Sequence, residues 1–173
     1  MPFYRDGVVM TTGPLAATPL TAKAFAPFGQ VIAPGEGAGR AINRGAAVRY
    51  DDLAAPEVVA GRVGISVFVG DPVTWPVPVP MLERHPLGSQ SFLPMGSGQF
   101  LVVVAQDAGG IPGRPQAYLA GPGQGVHYPR GLWHGVLMPL DGPMDFAVLD
   151  RIGPGDNLEE HWFDAPLMIV GPF

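Results

Sequence analysis

The sequence predicts an all-β domain, a sandwich or a barrel, with one or two short helices near the N-terminus. Short runs rich in β-branched and aromatic residues recur along the chain, each bounded by glycine, proline or aspartate. The 25 glycines and 21 prolines are typical of a fold with many tight turns. At 173 residues, 47% of them hydrophobic, the chain can bury one sizeable core, so residues 1–173 are predicted to form a single domain.

The first predicted element is a short helix over 21–26. Thr21 is a suitable N-cap, and Pro27 and Gly29 end the helix. A second helical turn is expected at 51–53, after a loop at 35–39 and an arginine-containing stretch at 43–50. The runs that read as strands then follow at 64–70, 81–85, 91–94, 100–105, 116–119, 125–128, 133–137 and 145–150.

Three other segments give weaker expectations. Proline alternates through 75–80, which predicts an edge strand or a linker, because each proline removes a backbone donor. The acidic stretch 159–162 is expected to be a solvated loop. The apolar tail at 167–170 could form a last strand or a contact between subunits.

Composition excludes several kinds of partner. The net charge is −5 and Lys23 is the single lysine, so a basic surface for nucleic acid is not expected. The chain has no cysteine, which suits a reducing compartment. Its N-terminus lacks a signal-peptide pattern, and its apolar runs fall well short of the ~20 residues that span a membrane. We expect a cytoplasmic protein without membrane or nucleic-acid partners.

Four polar residues form the candidate site. Residues two apart in a strand point to the same face, so Glu83 and His85 would project into a barrel while Arg84 points away. Gln90 and His134 would complete the cluster. It could bind a divalent metal ion through imidazole and oxygen ligands, or act without metal as a base and an acid beside hydrogen-bonding groups.

The spacing of these residues resembles the two motifs of the cupin family. The second motif is matched by Gly123, Pro129, Gly131 and His134, although Met138 stands where the motif continues with asparagine. The places of the first motif hold Glu83, His85 and Gln90. A cupin metal site carries histidine and glutamate where this chain has Glu83 and Gln90. We therefore expect at most weak metal binding, and a divalent ion is treated as an optional cofactor.

A wider set of residues resembles the ureidoglycolate lyase family over nearly the whole chain. The matching segments are 43–45 with Arg49, the block Glu-Arg-His-Pro-Leu-Gly-Ser-Gln at 83–90, 125–128, 131–134, 150–151 and 156–157. The resemblance implies a cupin-like double-stranded β-helix, also called a jelly-roll barrel, and a homodimer. It also implies cleavage of ureidoglycolate to glyoxylate and urea in purine and allantoin degradation. The chain departs from the family at Pro129 and at Gly135, where members commonly have a polar residue and a second histidine.

The implied chemistry assigns roles to particular side chains. A base must take the substrate hydroxyl proton and an acid must protonate the departing urea nitrogen. The candidates for these catalytic steps are Glu83, His85 and His134, with the order of the two histidines left open. The candidates for substrate binding are Arg49 and Arg151 for the carboxylate, and Ser89 and Gln90 for hydrogen bonds to the carboxylate or urea group. A metal ion held by Glu83, His85, Gln90 and His134 would chelate the hydroxyl and carboxylate together.

Two alternatives keep the barrel and the small carboxylate partner. The protein could be a cupin lyase or isomerase that acts on another small hydroxy or keto acid. It could also be a non-catalytic cupin that binds a small carboxylate, in which case ligand binding would saturate without turnover.

Overall fold

The computed structural model describes residues 13–171 and the backbone of two short N-terminal strands, β1 (Tyr4–Arg5) and β2 (Val8–Val9). One α-helix, α1, covers Ala22–Phe25, and a 3-10 helix covers Asn43–Gly45. The remaining strands in the described part of the chain are β3 (Leu15–Ala16), β4 (Thr18–Pro19), β5 (Gln30–Ile32), β6 (Gly39–Ile42), β7 (Ala47–Tyr50), β8 (Arg62–Gly70), β9 (Val77–Arg84), β10 (Gln90–Pro94), β11 (Phe100–Ala105), β12 (Gln116–Ala120), β13 (Gly125–Tyr128), β14 (Trp133–His134), β15 (Met144–Ile152) and β16 (Glu159–Val170).

The main strands form two facing sheets. Within residues 13–171, one sheet has the order β5-β13-β10-β15-β8 and the other β3-β16-β9-β14-β11-β12-β4. Strands β8 to β15 therefore form two antiparallel four-stranded sets, with the orders β8-β15-β10-β13 and β9-β14-β11-β12. These are the strand orders of a jelly roll built from two Greek keys. The predicted all-β, cupin-like double-stranded β-helix is confirmed.

The core lies between the sheets and continues behind one of them. Along β11, Phe100 and Val102 belong to the cluster inside the barrel, whereas Leu101 and Val103 belong to a second cluster on the outer face with Trp133. This alternation follows from the two-residue period of a strand. Because both faces of β11 are buried, the sheet that carries β9 and β14 is held from two sides.

The helical predictions are partly confirmed. The Thr21 hydroxyl accepts a hydrogen bond from the Ala24 amide at 3.2 Å, which is the expected N-cap. The second helical turn was expected at 51–53, but the chain there is irregular and the 3-10 turn lies at Asn43–Gly45. Asn43 and Arg44 adopt positive φ values of 51° and 59° in this turn. Asparagine tolerates positive φ better than most residues do, but composition alone does not show which asparagine adopts it.

Two further segments differ from expectation. The proline-rich stretch contributes to β9, so the linker alternative is wrong. On one side of β9, Val77–Val79 pairs with β16. On the other side, β14 pairs with β9 only at Glu83. The prolines thus occupy a part of β9 that behaves as an edge. The stretch 159–162, expected to be a loop, is the start of β16, and its pairing to β9 overrides its acidic composition. The tail forms the end of the same strand. No helix within the described ranges has the length and apolar character needed to cross a membrane.

Candidate active site

Glu83, His85 and His134 come together on adjacent strands. Glu83 lies near the end of β9 and pairs with His134 of β14, and His85 follows β9 directly. One ligand atom from each side chain lies within 4.8 Å of the others. The Glu83 Oε1 to His85 Nε2 distance is 3.7 Å, and the His85 and His134 ring centroids are 5.2 Å apart. The predicted face is confirmed for Arg84, whose guanidinium lies outside the barrel over the Trp133 ring.

Backbone carbonyls fix the orientation of both imidazoles. His85 Nδ1 lies 2.7 Å from the Asn157 carbonyl oxygen, and His134 Nδ1 lies 3.1 Å from the Gly135 carbonyl oxygen. A carbonyl oxygen only accepts, so each Nδ1 carries a proton and donates it. Both Nε2 atoms are buried, and within the described residues neither has a hydrogen-bond partner. Each ring therefore presents Nε2 to the interior of the barrel.

His134 is held neutral. Its side chain is 1% exposed and its ring lies nearly parallel to the Tyr128 ring, with centroids 4.5 Å apart. Burial, reinforced by the nearby His85 ring, lowers the pKa of His134 to about 4, although Glu83 and the Gly135 carbonyl oppose the shift. A neutral imidazole with Nδ1–H leaves an unshared electron pair on Nε2, which can accept a proton or bind a metal ion.

His85 has the opposite tendency. Burial disfavours its charged form, but the Glu83 carboxylate, the Asn157 carbonyl and the Asp150 carboxylate outweigh burial and raise the pKa of His85. Burial likewise opposes ionisation of Glu83, but the two imidazoles overcome it and lower the pKa of Glu83. The Glu83 and His85 side chains remain 21% and 17% exposed, so solvent reaches the cluster from their side.

The facing sheet supplies a second group of polar atoms. Gln90 begins β10 and pairs with Tyr128 of β13, and continuing the β10–β15 register one step beyond Ser91 and Leu149 places it across from Asp150. Phe92 and Val148, two residues further along the same faces, are in the core inside the barrel. Burial raises the pKa of Asp150, while a Gln90 hydrogen bond and His85 oppose the shift. The atoms Gln90 Oε1 and Asp150 Oδ1 are buried without a hydrogen-bond partner in the described part of the protein.

Sequence reasoning missed Asp150 as a site residue. The signal was present, since Phe146, Val148 and Asp150 alternate along one strand and the first two are apolar. Period-two reading would have placed the carboxylate on the inner face. Of the two residues at 150–151, only Arg151 is predicted from the sequence to bind substrate.

The structure does not bring three of the predicted ligands to the cluster. Arg151 points to the opposite face of β15, where its Nε donates to the Val59 carbonyl at 2.6 Å and its Nη2 to the Ala60 carbonyl at 2.6 Å. The Ser89 hydroxyl accepts a hydrogen bond from the Glu57 amide at 2.7 Å. Both side chains thus anchor the loop at 57–61 to the outer face of the sheet.

Arg49 lies in the β6–β7 hairpin, which forms a small sheet of its own. Its side chain is 61% exposed and forms an ion pair with Asp51. Exposed ion pairs contribute little to stability, and nothing in this contact joins Arg49 to the histidine cluster.

Gly135 fits the packing of the outer core. A Cβ at this position would lie 3.0 Å from Met138 Cε and 3.5 Å from Val103 Cβ. A histidine here would have to displace Met138. The absence of a second histidine after His134 is therefore matched by a tightly packed backbone.

The donor set fits a divalent metal ion. Two imidazole nitrogens and one carboxylate oxygen face one another within 4.8 Å, and both nitrogens lack other partners among the described residues. Such mixed nitrogen and oxygen ligands suit zinc, nickel, iron and manganese. Gln90, the fourth predicted ligand, lies on the facing sheet with Oε1 available.

Two surface cavities lie away from the cluster. One, of about 500 Å³, is lined by the turns at 95–98 and 141–145, and the other, of about 660 Å³, includes Trp75, Leu119 and Leu140. Neither contains a histidine. The chemistry-bearing groups are found in the barrel interior, where burial perturbs their pKa values.

In this jelly-roll barrel, two imidazoles and a carboxylate on one sheet face amide and carboxylate oxygens on the other. This combination of fold and site defines a small-molecule-binding protein of the cupin class. The chain belongs to the ureidoglycolate lyase family, whose model matches residues 12–170.

Curated relatives cover most of the chain. It is 51% identical over 160 residues to the ureidoglycolate lyase of Agrobacterium fabrum, covering 91% of this chain and 96% of the relative. Identity is 48% to ureidoglycolate lyase 2 of Rhizobium meliloti, covering 90% and 97%, and 50% to the ureidoglycolate lyase of Rhodobacter capsulatus, covering 91% and 98%. A solved dTDP sugar isomerase from Desulfovibrio desulfuricans G20 is 20% identical, covers 79% of this chain and 85% of its own, and has a TM-score of 0.49.

Proposed function

We propose that this protein is a carbon–nitrogen lyase that cleaves ureidoglycolate to glyoxylate and urea, as a step in purine and allantoin degradation. Membership of the ureidoglycolate lyase family supports the substrate. The observation that carries the chemistry is the pair of imidazoles, His85 and His134, whose Nε2 atoms point into the barrel beside Glu83.

The reaction needs one proton removed and one supplied. Ureidoglycolate carries a hydroxyl, a carboxylate and a urea nitrogen on one carbon. When the hydroxyl loses its proton, the oxygen forms a carbonyl and the C–N bonding pair passes to the urea nitrogen, which takes a proton. Glyoxylate and urea leave, and no other reactant enters.

The environments of the histidines support one distribution of these two roles. Paired titratable groups whose pKa values are driven apart are suited to act as base and acid. In this proposal neutral His134 accepts the hydroxyl proton at Nε2, and His85, whose protonated form Glu83 favours, donates its Nε2 proton to the urea nitrogen. Glu83 positions His85 and stabilises its charged form. Each proton transfer is worth about 10² to 10⁴ in rate.

A divalent ion would be held by Glu83, His85 and His134, and it would supply Lewis acidity at the substrate hydroxyl. This use of the imidazoles competes with the acid–base roles, because a metal ion takes the same Nε2 electron pairs. The two assignments therefore differ in their response to chelation.

The test is glyoxylate formation from ureidoglycolate, corrected for spontaneous decay, before and after exhaustive chelation. The acid–base assignment expects turnover that survives chelation and is not raised by added divalent ions. Loss of turnover that a divalent ion restores would overturn the acid–base assignment and make the cluster a metal centre. Failure to form glyoxylate under every condition would overturn the proposed function.

We also propose a homodimer formed through β8. This strand ends its sheet in the described part of the chain, and Ile65, Val67 and Val69 on its outer face are 78%, 60% and 69% exposed. Residues 63–70 carry no charge, whereas Arg62 and Asp71 flank them. Antiparallel pairing of β8 with a second copy would close the open edge, set the two apolar rows side by side and place the opposite charges at the same end.

Sedimentation or light scattering tests this interface. The wild-type protein is expected to be a dimer, and Val67→Lys to be a folded monomer. A monomeric wild-type protein, or a variant that still dimerises, would contradict it.

We further propose a cytoplasmic location, which suits a cysteine-free chain in a reducing compartment and can be checked by cell fractionation.

A further inference from the structure

Gln90 and Asp150 present two acceptor oxygens to the interior of the barrel. Continuing the register of antiparallel β10 and β15 one step beyond Ser91 and Leu149 places the two residues across from each other. Gln90 is 6% exposed, and its Oε1 is buried without a hydrogen-bond partner among residues 13–171. The same holds for Asp150 Oδ1. Such acceptors are costly to bury unless a donor reaches them.

Their relation to the catalytic cluster is close. Asp150 acts electrostatically on His85, and Tyr128, which flanks Gln90 in the register, stacks on His134. The two oxygens therefore lie on the wall that faces the histidines. A ligand between the sheets would meet histidine nitrogens on one side and oxygen acceptors on the other.

The acceptor pair has a chemical complement in a ureido group. A ureido group carries N–H donors on both nitrogens, and two adjacent N–H groups can be received by two neighbouring oxygens. We propose that Gln90 Oε1 and Asp150 Oδ1 form the subsite that binds the ureido group, so that the site selects N-carbamoyl derivatives of small acids. This inference rests on the proposed function for the orientation of substrate and extends it to the basis of specificity.

The acceptor oxygens of Gln90 and Asp150 suit a ureido group better than they suit a carboxylate. The Gln90 Oε1 atom is an acceptor that no donor reaches among the described residues. A carboxylate ligand would be repelled by Asp150 and would find no donor in Gln90 Oε1. The ligand carboxylate is therefore directed away from this wall, and the scissile C–N bond is directed toward the histidines.

The test uses two stable compounds that differ in one group. N-carbamoylglycine has the ureido group and carboxylate of the substrate but lacks the hydroxyl, so it cannot be cleaved. N-acetylglycine replaces its terminal NH₂ by a methyl group. Titration calorimetry on the wild-type protein is expected to show N-carbamoylglycine binding about 10- to 100-fold more tightly, because a site built to donate or accept hydrogen bonds rejects analogues that lack the partner.

Asp150→Ala should abolish this preference while binding of N-acetylglycine changes little, and Asp150→Asn, which keeps an acceptor oxygen, should retain part of it. Asp145→Ala is the matched control, because Asp145 is exposed on the other face of the same strand. Retained binding of N-acetylglycine shows that a variant is folded. An unchanged preference in Asp150→Ala, or the lack of any preference or binding in the wild-type protein, would overturn the proposal.

Turnover separates this outcome from the fate of the proposed function. A wild-type protein that prefers N-carbamoylglycine through Asp150 but forms no glyoxylate from ureidoglycolate would keep the ureido subsite and lose the lyase. A protein that cleaves ureidoglycolate and shows no Asp150-dependent preference would keep the lyase and lose the subsite.

Discussion

His85 and His134 are oriented in the same way, because each donates its Nδ1 proton to a backbone carbonyl, of Asn157 and Gly135 respectively. Their ring centroids are 5.2 Å apart. These contacts turn both Nε2 atoms toward the barrel interior, while burial lowers the pKa of His134 and Glu83 helps to raise the pKa of His85. Main-chain geometry thus orients both rings as the proposed base and acid require.

Replacing His134 by Asn tests the base directly. Asparagine can still reach the Gly135 carbonyl but has no atom at the position of Nε2, so kcat is expected to fall by about 10² to 10⁴. The circular dichroism spectrum should be unchanged. His161→Asn is the control, because His161 lies on β16 and contacts Trp133 and Phe163 away from the cluster. Turnover of His134→Asn equal to that of His161→Asn would refute the assignment.

Arg151 is predicted to stabilise the fold and not to bind substrate. A lysine cannot reproduce the forked donation to the carbonyls of Val59, Ala60 and Pro154, so Arg151→Lys should lower the free energy of unfolding by about 3 kcal/mol. The KM of the folded variant should change by less than about threefold, since uniform substrate binding is untouched. A raised KM with wild-type stability in urea would instead make Arg151 a ligand.

Gly88 is predicted to be intolerant of alanine. A Cβ there would lie 2.4 Å from Arg151 Cβ, which is a contact that the packed strand must relieve by moving. Gly88→Ala should therefore cost about 1 to 3 kcal/mol in urea unfolding. Gly96→Ala serves as the comparison, because a Cβ at Gly96 meets nothing within 4 Å. Equal stability of the two variants would contradict this account of the packing.

Stability is predicted to fall as the pH is lowered below the pKa of a free histidine side chain. Burial lowers the pKa of His127 despite the opposing charge of Glu57, and Ser91 Oγ lies 2.7 Å from its Nδ1. The unfolded chain thus binds a proton more readily, with a pKa of about 6.5. The stabilisation is complete above that value and is lost as the pH falls toward the folded pKa.

Urea midpoints at pH 7.5 and pH 5.5 check this prediction, because His127→Asn removes the group and should lose less stability between the two conditions than the wild-type protein. An NMR titration of the folded protein should place His127 below the ordinary value. An equal loss in both proteins would show that other groups control the pH dependence.

The all-β class could be predicted because its signals are local, whereas the jelly-roll barrel was expected from the family resemblance. Glycine and proline mark the turns, and two-residue alternation places Glu83 and His85 on one face and Arg84 on the other. The 133–137 strand is shorter than expected, at Trp133–His134, but its His134 still faces the cluster. Strand period thus predicts the faces of Glu83, His85 and Arg84.

The differences from expectation concern contacts between residues that are far apart in the chain. Arg151 bonds to a carbonyl 92 residues earlier, at Val59, and no local pattern shows that this loop crosses the outer face of the sheet. The acidic start of β16 is a strand because β9 pairs with it, and Arg84 forms an ion pair with Glu159 across that pairing. Local composition cannot anticipate such tertiary pairing.

Cleavage of the C–N bond of ureidoglycolate by the histidine cluster can be checked by identifying the products. Carbon-13 NMR of labelled ureidoglycolate, with ammonia assayed in the same sample, distinguishes elimination from hydrolysis. We expect urea and glyoxylate in equal amounts without ammonia, formed faster than in the protein-free sample and lost in His134→Asn. Ammonia in place of urea, or no acceleration over the protein-free rate, would contradict it.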